Sequence, residues 1–423
     1  MPPKKQGSRF IFRDLIKRID WKCVSTVLLA FLLTRLMIVV VIYFSAKMIP
    51  ANTGWAYNPR NLIPNGLIRW DSPWYIDIAQ NGYQLDRPVN TTAWFPLYPL
   101  LIRFTSLLTG NISTSGLYVS NICFLIALFY LYALTRDEFD DGTANRTVFY
   151  LASAPTAFFF SAVYTESTFL LLLVLCFYYS RKQKWWLVAI AGALASATRP
   201  QGFLVAVFIF LESLWQQGIC FLPKPWNLKS QVAILGEDLK KVPAAWQGIL
   251  ASIFSLTGLF AYMIHLNQRF GDPLRFVHVM ESWNKTISFD WPLKLIQNIQ
   301  AQHRIGIPPF PYQINSFWFL RGEIESFWYL IDTLTVFVFL PLIILVLLKF
   351  RPSYGWFTLL TFLMPLTTGN TTSMQRYVVV IVPCFFLMAL WGKRNWVDRL
   401  IMGISLPLQA YFLVLFSHRF WAG

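Results

Sequence analysis

The run VSTVLLAFLLTRLMIVVVIYF, from Val24 to Phe44, decides the fold class. As a helix rising about 1.5 Å per residue it is long enough to cross a hydrocarbon core about 30 Å thick, and Arg35 is its single charge. Comparable apolar runs recur along all 423 residues, of which 56% are apolar and only 13% charged. An ordinary soluble domain has about 25% charged residues. The chain therefore reads as an all-α, multi-span membrane protein. One membrane domain is expected over 23–423, preceded by a basic cytoplasmic segment, 1–22, that is too long and interrupted for a cleaved signal. About eleven transmembrane helices are expected. They lie near 24–44, 116–134, 148–162, 168–179, 185–197, 202–215, 249–266, 327–348, 356–366, 378–391 and 400–416.

The formal charge of +16 would suggest a nucleic-acid partner in a soluble protein. Here the basic residues gather in short loops, RKQK at 181–184, Lys349 with Arg351, and GKRNWVDR at 392–399, where they read as topology signals and phospholipid contacts. The segment Trp94 to Leu108, interrupted by Pro96, Pro99 and Arg103, decides the threading. If it lies flat as an amphipathic helix, these basic loops all face the cytoplasm; if it spans, they are exposed outside, against the positive-inside tendency. The flat reading puts exterior loops at 48–115 and 267–326. It also places Asp71, Glu166, Arg199 and Arg376 at one membrane face.

Asp71 stands in RWDSPWY, 69–75, just beyond the first apolar run. A carboxylate against indole rings and near hydrocarbon is poorly solvated, which favours its protonated form and suits a general base. The competing reading is an interfacial aromatic belt with one solvated acid. Arg199 and Arg376, at outer span ends, suit a lipid phosphate at headgroup level. Arg35, mid-span, costs at least about 2.5 kcal/mol if unpaired, which points to a polar cavity and a third phosphate-binding cation. Trp70, Trp74, Tyr75 and Tyr83 are candidate sugar-stacking rings, with Arg69 and Tyr164 as further substrate contacts. Glu166 would orient an acceptor, share the base role or hold a cation; its alternative is a helix N-terminal acid stabilised by the dipole. No cofactor is demanded, although a divalent cation stays open.

Other features point away from known chemistries. Cys23, Cys123, Cys176, Cys220 and Cys384 form no CxxC pair, and the four histidines have no metal-ligand spacing. No GxxxxGK[ST] or GxGxxG loop cradles a nucleotide. The acidic group Asp137, Glu138, Asp140 and Asp141 reads as a solvated turn on the cytoplasmic side.

Five stretches, in order, then make a pattern: RWDSPWYIDIAQNGY with WFPLYPLL, PTAFFFSAVYTESTFLLLL, ALASATRPQGFL, FGDPLRFVHVMESWNK and TTSMQRYVVVIVPCFFLMAL. Together they resemble the PIG-V family of mannosyltransferases. The resemblance implies a GT-C glycosyltransferase fold and a polyprenyl or dolichyl phosphate sugar donor, usually of mannose. It also implies a glycolipid or glycan acceptor and inversion at the anomeric carbon. By the same resemblance Asp71 is the catalytic base, and Glu166, Arg199 and Arg376 are site residues. The compartment would be the cell membrane of a prokaryote or the endoplasmic reticulum membrane of a eukaryote. A transporter or lipid flippase using the same outward cavity is the alternative, and it would place its charges near mid-span.

The threading predicts that, in a cysteine-free background, an impermeant thiol reagent applied to intact cells labels a cysteine at Asp86 and spares one at Lys182. The reverse pattern would overturn both the topology and the shared face.

Overall fold

A computed structural model describes residues 20–49, 61–84, 91–219, 240–283, 285–288, 290–304 and 324–419. The basic segment before Asp20, Cys220 and parts of both expected exterior loops lie outside the described residues. Helix dominates. The principal helices are α1 (Trp21–Met48), α2 (Leu62–Leu67), α3 (Ser72–Asn81), α4 (Leu97–Thr109), α5 (Ile112–Glu138) and α6 (Asp141–Ala152). They continue with α7 (Glu166–Arg181), α8 (Trp185–Ser196), α9 (Leu204–Gln216), α10 (Trp246–Ser255), α11 (Thr257–Phe270) and α12 (Trp291–Arg304). The last are α13 (Ile324–Lys349), α14 (Pro352–Leu366), α15 (Met374–Val378), α16 (Val382–Trp391) and α17 (Asn395–Ser417).

Local chemistry sets many of these limits. Asp20, Asn111 and Asp140 cap α1, α5 and α6 by accepting from the backbone N–H groups of Cys23, Thr114 and Thr143, at 3.1, 3.0 and 2.7 Å. Gly110 and Gly271, with φ of 70° and 73°, close α4 and α11 in the left-handed conformation. Among the described residues, five segments are long and apolar enough to cross a membrane: α1, α5, the run Val242–Phe270 containing α10 and α11, Leu330–Lys349 and α17. Other expected spans are shorter or broken. The stretch 148–162 leaves α6 at Ala152 and continues through Pro155 into a 3-10 turn at Ala157–Phe160, because proline has no N–H to continue the helix.

The helices run between two charged ends. At one, Lys22 pairs with Asp141 (2.9 Å), Lys182 with Asp137 (2.8 Å), Lys393 with Asp140 (2.8 Å) and Arg136 with Asp20. The hydrogen bond from Lys393, helped by the Thr143 N–H, holds the Asp140 carboxyl down at about 2. Three of the four acids expected in a solvated turn behave so. Glu138 does not: its side chain is only 8% exposed, and it pairs with Arg181 at 2.5 Å and Arg351 at 3.4 Å. Glu212 completes this network, 2.9 Å from Arg181 and 3.5 Å from Arg351, while accepting from Ser353 Oγ. Although α9 is apolar on both sides of it, Glu212 stands among the bundle-end pairs.

At the other end lie Asp71, Glu166, Arg199 and Arg376. Described parts of the first-loop segment pack against neighbouring helices. The Leu97 N–H donates to the Ala197 carbonyl at 3.0 Å, and the Tyr98 hydroxyl donates to Gly116 O at 3.0 Å. Between the ends the core mixes aliphatic and aromatic side chains, with Phe124 stacked on Phe160 at 4.5 Å and Phe177 tilted against Phe208 at 4.2 Å. Helix corners approach closely. A Cβ on Gly202 would sit 2.1 Å from the Ala195 carbonyl oxygen and 2.6 Å from Ser196 Cα, both fixed backbone.

Gly202→Ala is therefore expected to destabilise by at least about 1–3 kcal/mol, since backbone cannot yield as a side chain would. A thermal unfolding midpoint equal to that of the parent would contradict this.

Candidate functional site

Asp71 opens α3, but its carboxylate does not cap that helix. Its Oδ2 lies 2.8 Å from Arg376 NH1 instead, across 305 positions of sequence. Three features hold it there. Trp70, the preceding residue, has φ of 55°, a left-handed conformation that a bulky side chain rarely takes. The Tyr164 hydroxyl accepts from the Asp71 N–H at 3.1 Å and donates to the Arg69 carbonyl at 3.2 Å. Arg69 Nε in turn donates to the Ser417 carbonyl at 2.9 Å, tying the loop to the end of α17.

Glu166 is the first residue of α7, so its negative charge sits at the positive end of the helix dipole. Its side chain is fully buried. Oε1 lies 2.9 Å from Arg376 Nε and 3.5 Å from Arg199 NH1, while buried Oε2 has no hydrogen-bond partner. The Arg376 Nε proton is not directed at Oε1, so this contact is an ion pair and not a hydrogen bond. Arg199 stands at the corner between α8 and α9, where its Nε donates to Gln201 Oε1 at 3.0 Å. Its guanidinium lies over Phe169 and Tyr377, and that of Arg376 over Tyr164 and Tyr377.

Four expected site residues thus form one chain of contacts, Asp71–Arg376–Glu166–Arg199. Arg35 is not part of it. Its guanidinium is wedged against Phe31 and Phe124, 5.3 and 4.7 Å from their ring centres, and none of its three nitrogens has a hydrogen-bond partner. The expected polar cavity around it is replaced by aromatic faces. Of the rings expected to stack on a sugar, Trp70 is 38% exposed and Trp74 half-buried beside Trp94, so these two keep accessible area. Tyr75, Tyr83 and Tyr164 are buried. Tyr75 packs edge-on against Tyr98 and Tyr164, while the Tyr83 hydroxyl donates to the Trp94 carbonyl at 2.6 Å. Burial, and then the charges of Asp71 and Glu166, push the Tyr75 hydroxyl up, so it stays protonated.

Sequence reading missed three residues here. Lys285 is the strongest influence pulling the Tyr377 hydroxyl below its usual range; Arg376 and Arg199 add to it, against the opposing effect of burial. Lys285 ends the quoted FGDPLRFVHVMESWNK stretch, and Tyr377 follows Arg376, so both were in view. Asp332, 1% exposed, accepts from the Ser373 N–H at 2.9 Å and the Gln375 N–H at 3.4 Å. As a lone acid in the apolar run 327–348, it merited the scrutiny given to Arg35. Among the described residues, no group of three or more His, Cys, Asp or Glu could hold a metal ion.

Comparison with known proteins bears on this arrangement. Residues 23–221 match the family described as mannosyltransferase (PIG-V). The resemblance carried by the motifs is borne out. Asp71, Glu166 and Arg199 lie inside the matched stretch, and Arg376 beyond it. The chain is 26% identical over 152 residues to GPI mannosyltransferase 2 of Schizosaccharomyces pombe, covering 35% of this chain and 32% of that one. It is 29% identical over 131 residues to GPI mannosyltransferase 2 of Drosophila melanogaster, covering 28% of each. The chain thus spans about a third or less of the curated relatives it matches. Among solved structures, it aligns with the oligosaccharyltransferase of Archaeoglobus fulgidus at 13% identity and a TM-score of 0.44. That alignment covers 93% of this chain and 53% of the other.

Glu166→Gln removes the charge that two buried guanidiniums share. Breaking such a buried pair typically costs about 3–5 kcal/mol, so the variant is expected to unfold at a clearly lower temperature. A similar loss from Arg199→Gln, without full additivity in the double variant, would show that the two act through one contact.

Proposed function

We propose that this chain is an integral-membrane glycosyltransferase that moves a sugar, mannose on family grounds, from a polyprenyl or dolichyl phosphate to a hydroxyl of a glycolipid or glycan acceptor. The observation that carries this reading is the division of labour between two acids on one guanidinium. Glu166 is buried and occupied with Arg376 and Arg199, whereas the Asp71 side chain is 26% exposed and has one oxygen, Oδ1, with no protein partner among the described residues. The acid that can meet an incoming hydroxyl is Asp71.

The chemistry then balances. The acceptor oxygen gives its proton to Asp71 and attacks the anomeric carbon from the face opposite the lipid phosphate. The carbon–oxygen bond to phosphate breaks, and the bonding pair leaves with the phosphate, inverting the anomeric centre. A phosphate leaving group needs cationic stabilisation more than a strong acid. Arg199, Arg376 and Lys285 supply it around Tyr377, and each guanidinium has N–H groups beyond those spent on Glu166, Asp71 and Gln201. In this reading the site faces away from the cytoplasm, where lipid-linked sugars serve in place of nucleotide sugars. The accessible Trp70 and Trp74 rings would flank the sugar. The helices adopt a GT-C type arrangement as one domain. The transport alternative draws less support, because most acids and bases among the described residues gather near span ends, with Arg35 and His265 as exceptions.

Asp71→Asn tests this. The amide keeps size and reach but cannot take the proton, so transfer from a purified polyprenyl phosphate mannose should fall by about 10²-fold or more while polyprenyl phosphate still binds. Near-parental turnover would remove Asp71 as the base and with it this mechanism.

A further inference from the structure

The loop that delivers Arg376 has no regular structure of its own before α15. Ser373 sits at φ of 72°, an unfavourable backbone for a residue with a Cβ, and α15 spans only Met374–Val378. The loop is nonetheless buried: Thr371, Ser373, Met374 and Gln375 are all at most 5% exposed. Its N–H groups that find no acceptor within the loop therefore need acceptors from outside the segment. Asp332, from the first turns of the apolar part of α13, provides them. Its Oδ2 accepts from the Ser373 N–H at 2.9 Å, and its Oδ1 from the Gln375 N–H at 3.4 Å and the Gln375 side-chain amide at 3.5 Å. On the other side, Thr156 Oγ1 donates to the Gln375 carbonyl at 3.1 Å.

We infer that Asp332 is the positioning residue of the site: by capping α15 from another helix, it holds the 371–376 loop in the conformation that brings Arg376 between Asp71 and Glu166. This rests on the proposed function only for its consequence in donor binding. The geometry is specific. Both carboxylate oxygens are used, on the Ser373 and Gln375 N–H groups of one turn, and Ser373 is itself the strained backbone residue. Asparagine would keep one carbonyl acceptor and turn an N–H toward the other backbone donor, which repels the loop. Alanine would leave the buried N–H groups without a partner.

Two readouts separate this inference from the donor assignment. In a cysteine-free background, Asp71→Cys with Arg376→Cys should be joined efficiently by a short bifunctional thiol reagent. Adding Asp332→Asn should lower that yield several-fold in protein that still elutes as a folded monodisperse species; an unchanged yield overturns the inference. Separately, binding of polyprenyl phosphate is titrated in proteins without the cysteine pair. Arg376→Ala should weaken it about 10- to 100-fold, the scale of a lost charged hydrogen bond. Asp332→Asn should weaken it in the same direction, and the double variant should be no worse than Arg376→Ala alone. Losses that multiply would mean a general structural role and would also overturn the inference. If cross-linking falls as expected while Arg376→Ala binds polyprenyl phosphate normally, the donor assignment fails and the role of Asp332 in placing the loop stands.

Discussion

One buried carboxylate, Glu166, sets the terms for the rest of the site. Two buried guanidiniums stand against it, each also lying over aromatic rings, and its charge offsets the cost of holding them there. Its place at the start of α7 lets the helix dipole share the cost of that negative charge. Once both arginines are fixed on Glu166, the remaining N–H groups of Arg376 reach Asp71 in a loop from a different part of the chain. A contact between first-loop and late-loop residues thus depends on an acid that belongs to neither.

The opposite end of the bundle solves the same electrostatic problem differently. There Glu138 and Glu212 are met by Arg181 and Arg351, and Ser353, Tyr354 and Gln216 fill the remaining carboxylate positions. Four helices or their ends, α5, α7, α9 and the start of α14, converge on that network. Its acids are largely satisfied by protein. At the Asp71 end, Glu166 Oε2 is left without a donor and Asp71 is partly open. Saturated polar networks stiffen a fold, while an unsaturated one is where an incoming group finds partners.

Much of this was legible in the sequence, and the failures have physical causes. Apolar length and charge asymmetry gave the class and brought Asp71, Glu166, Arg199 and Arg376 together, since each lies at a span end. The same logic misread Arg35, because a cation inside an apolar run can be shielded by Phe31 and Phe124 as well as by an acid. The pairing of Glu212 was not legible, because its partners, Arg181 and Arg351, are distant in sequence. Tyr75 and Tyr83 looked like part of a sugar platform, and Tyr164 like a substrate contact, because composition distinguishes aromatic from aliphatic residues but not an exposed face from a packed one. Asp332 was hidden for a further reason: its partners are backbone N–H groups, which every residue carries and no motif can announce.

The 305-residue separation between Asp71 and Arg376 also gives the site a history. During synthesis Asp71 and Glu166 are made first, and Arg199 follows only 33 residues after Glu166. From then until the 371–376 loop emerges, Arg199 is the one cation of the four on hand, so nascent Glu166 has half its eventual neutralisation and Asp71 has none from Arg376. The two acids therefore wait, hydrated or borrowed by other donors, while six further principal helices, α9 to α14, are made. Closure of the site is a late event in the life of the chain, and a polypeptide arrested before that loop would hold its acids without the arginine that joins them.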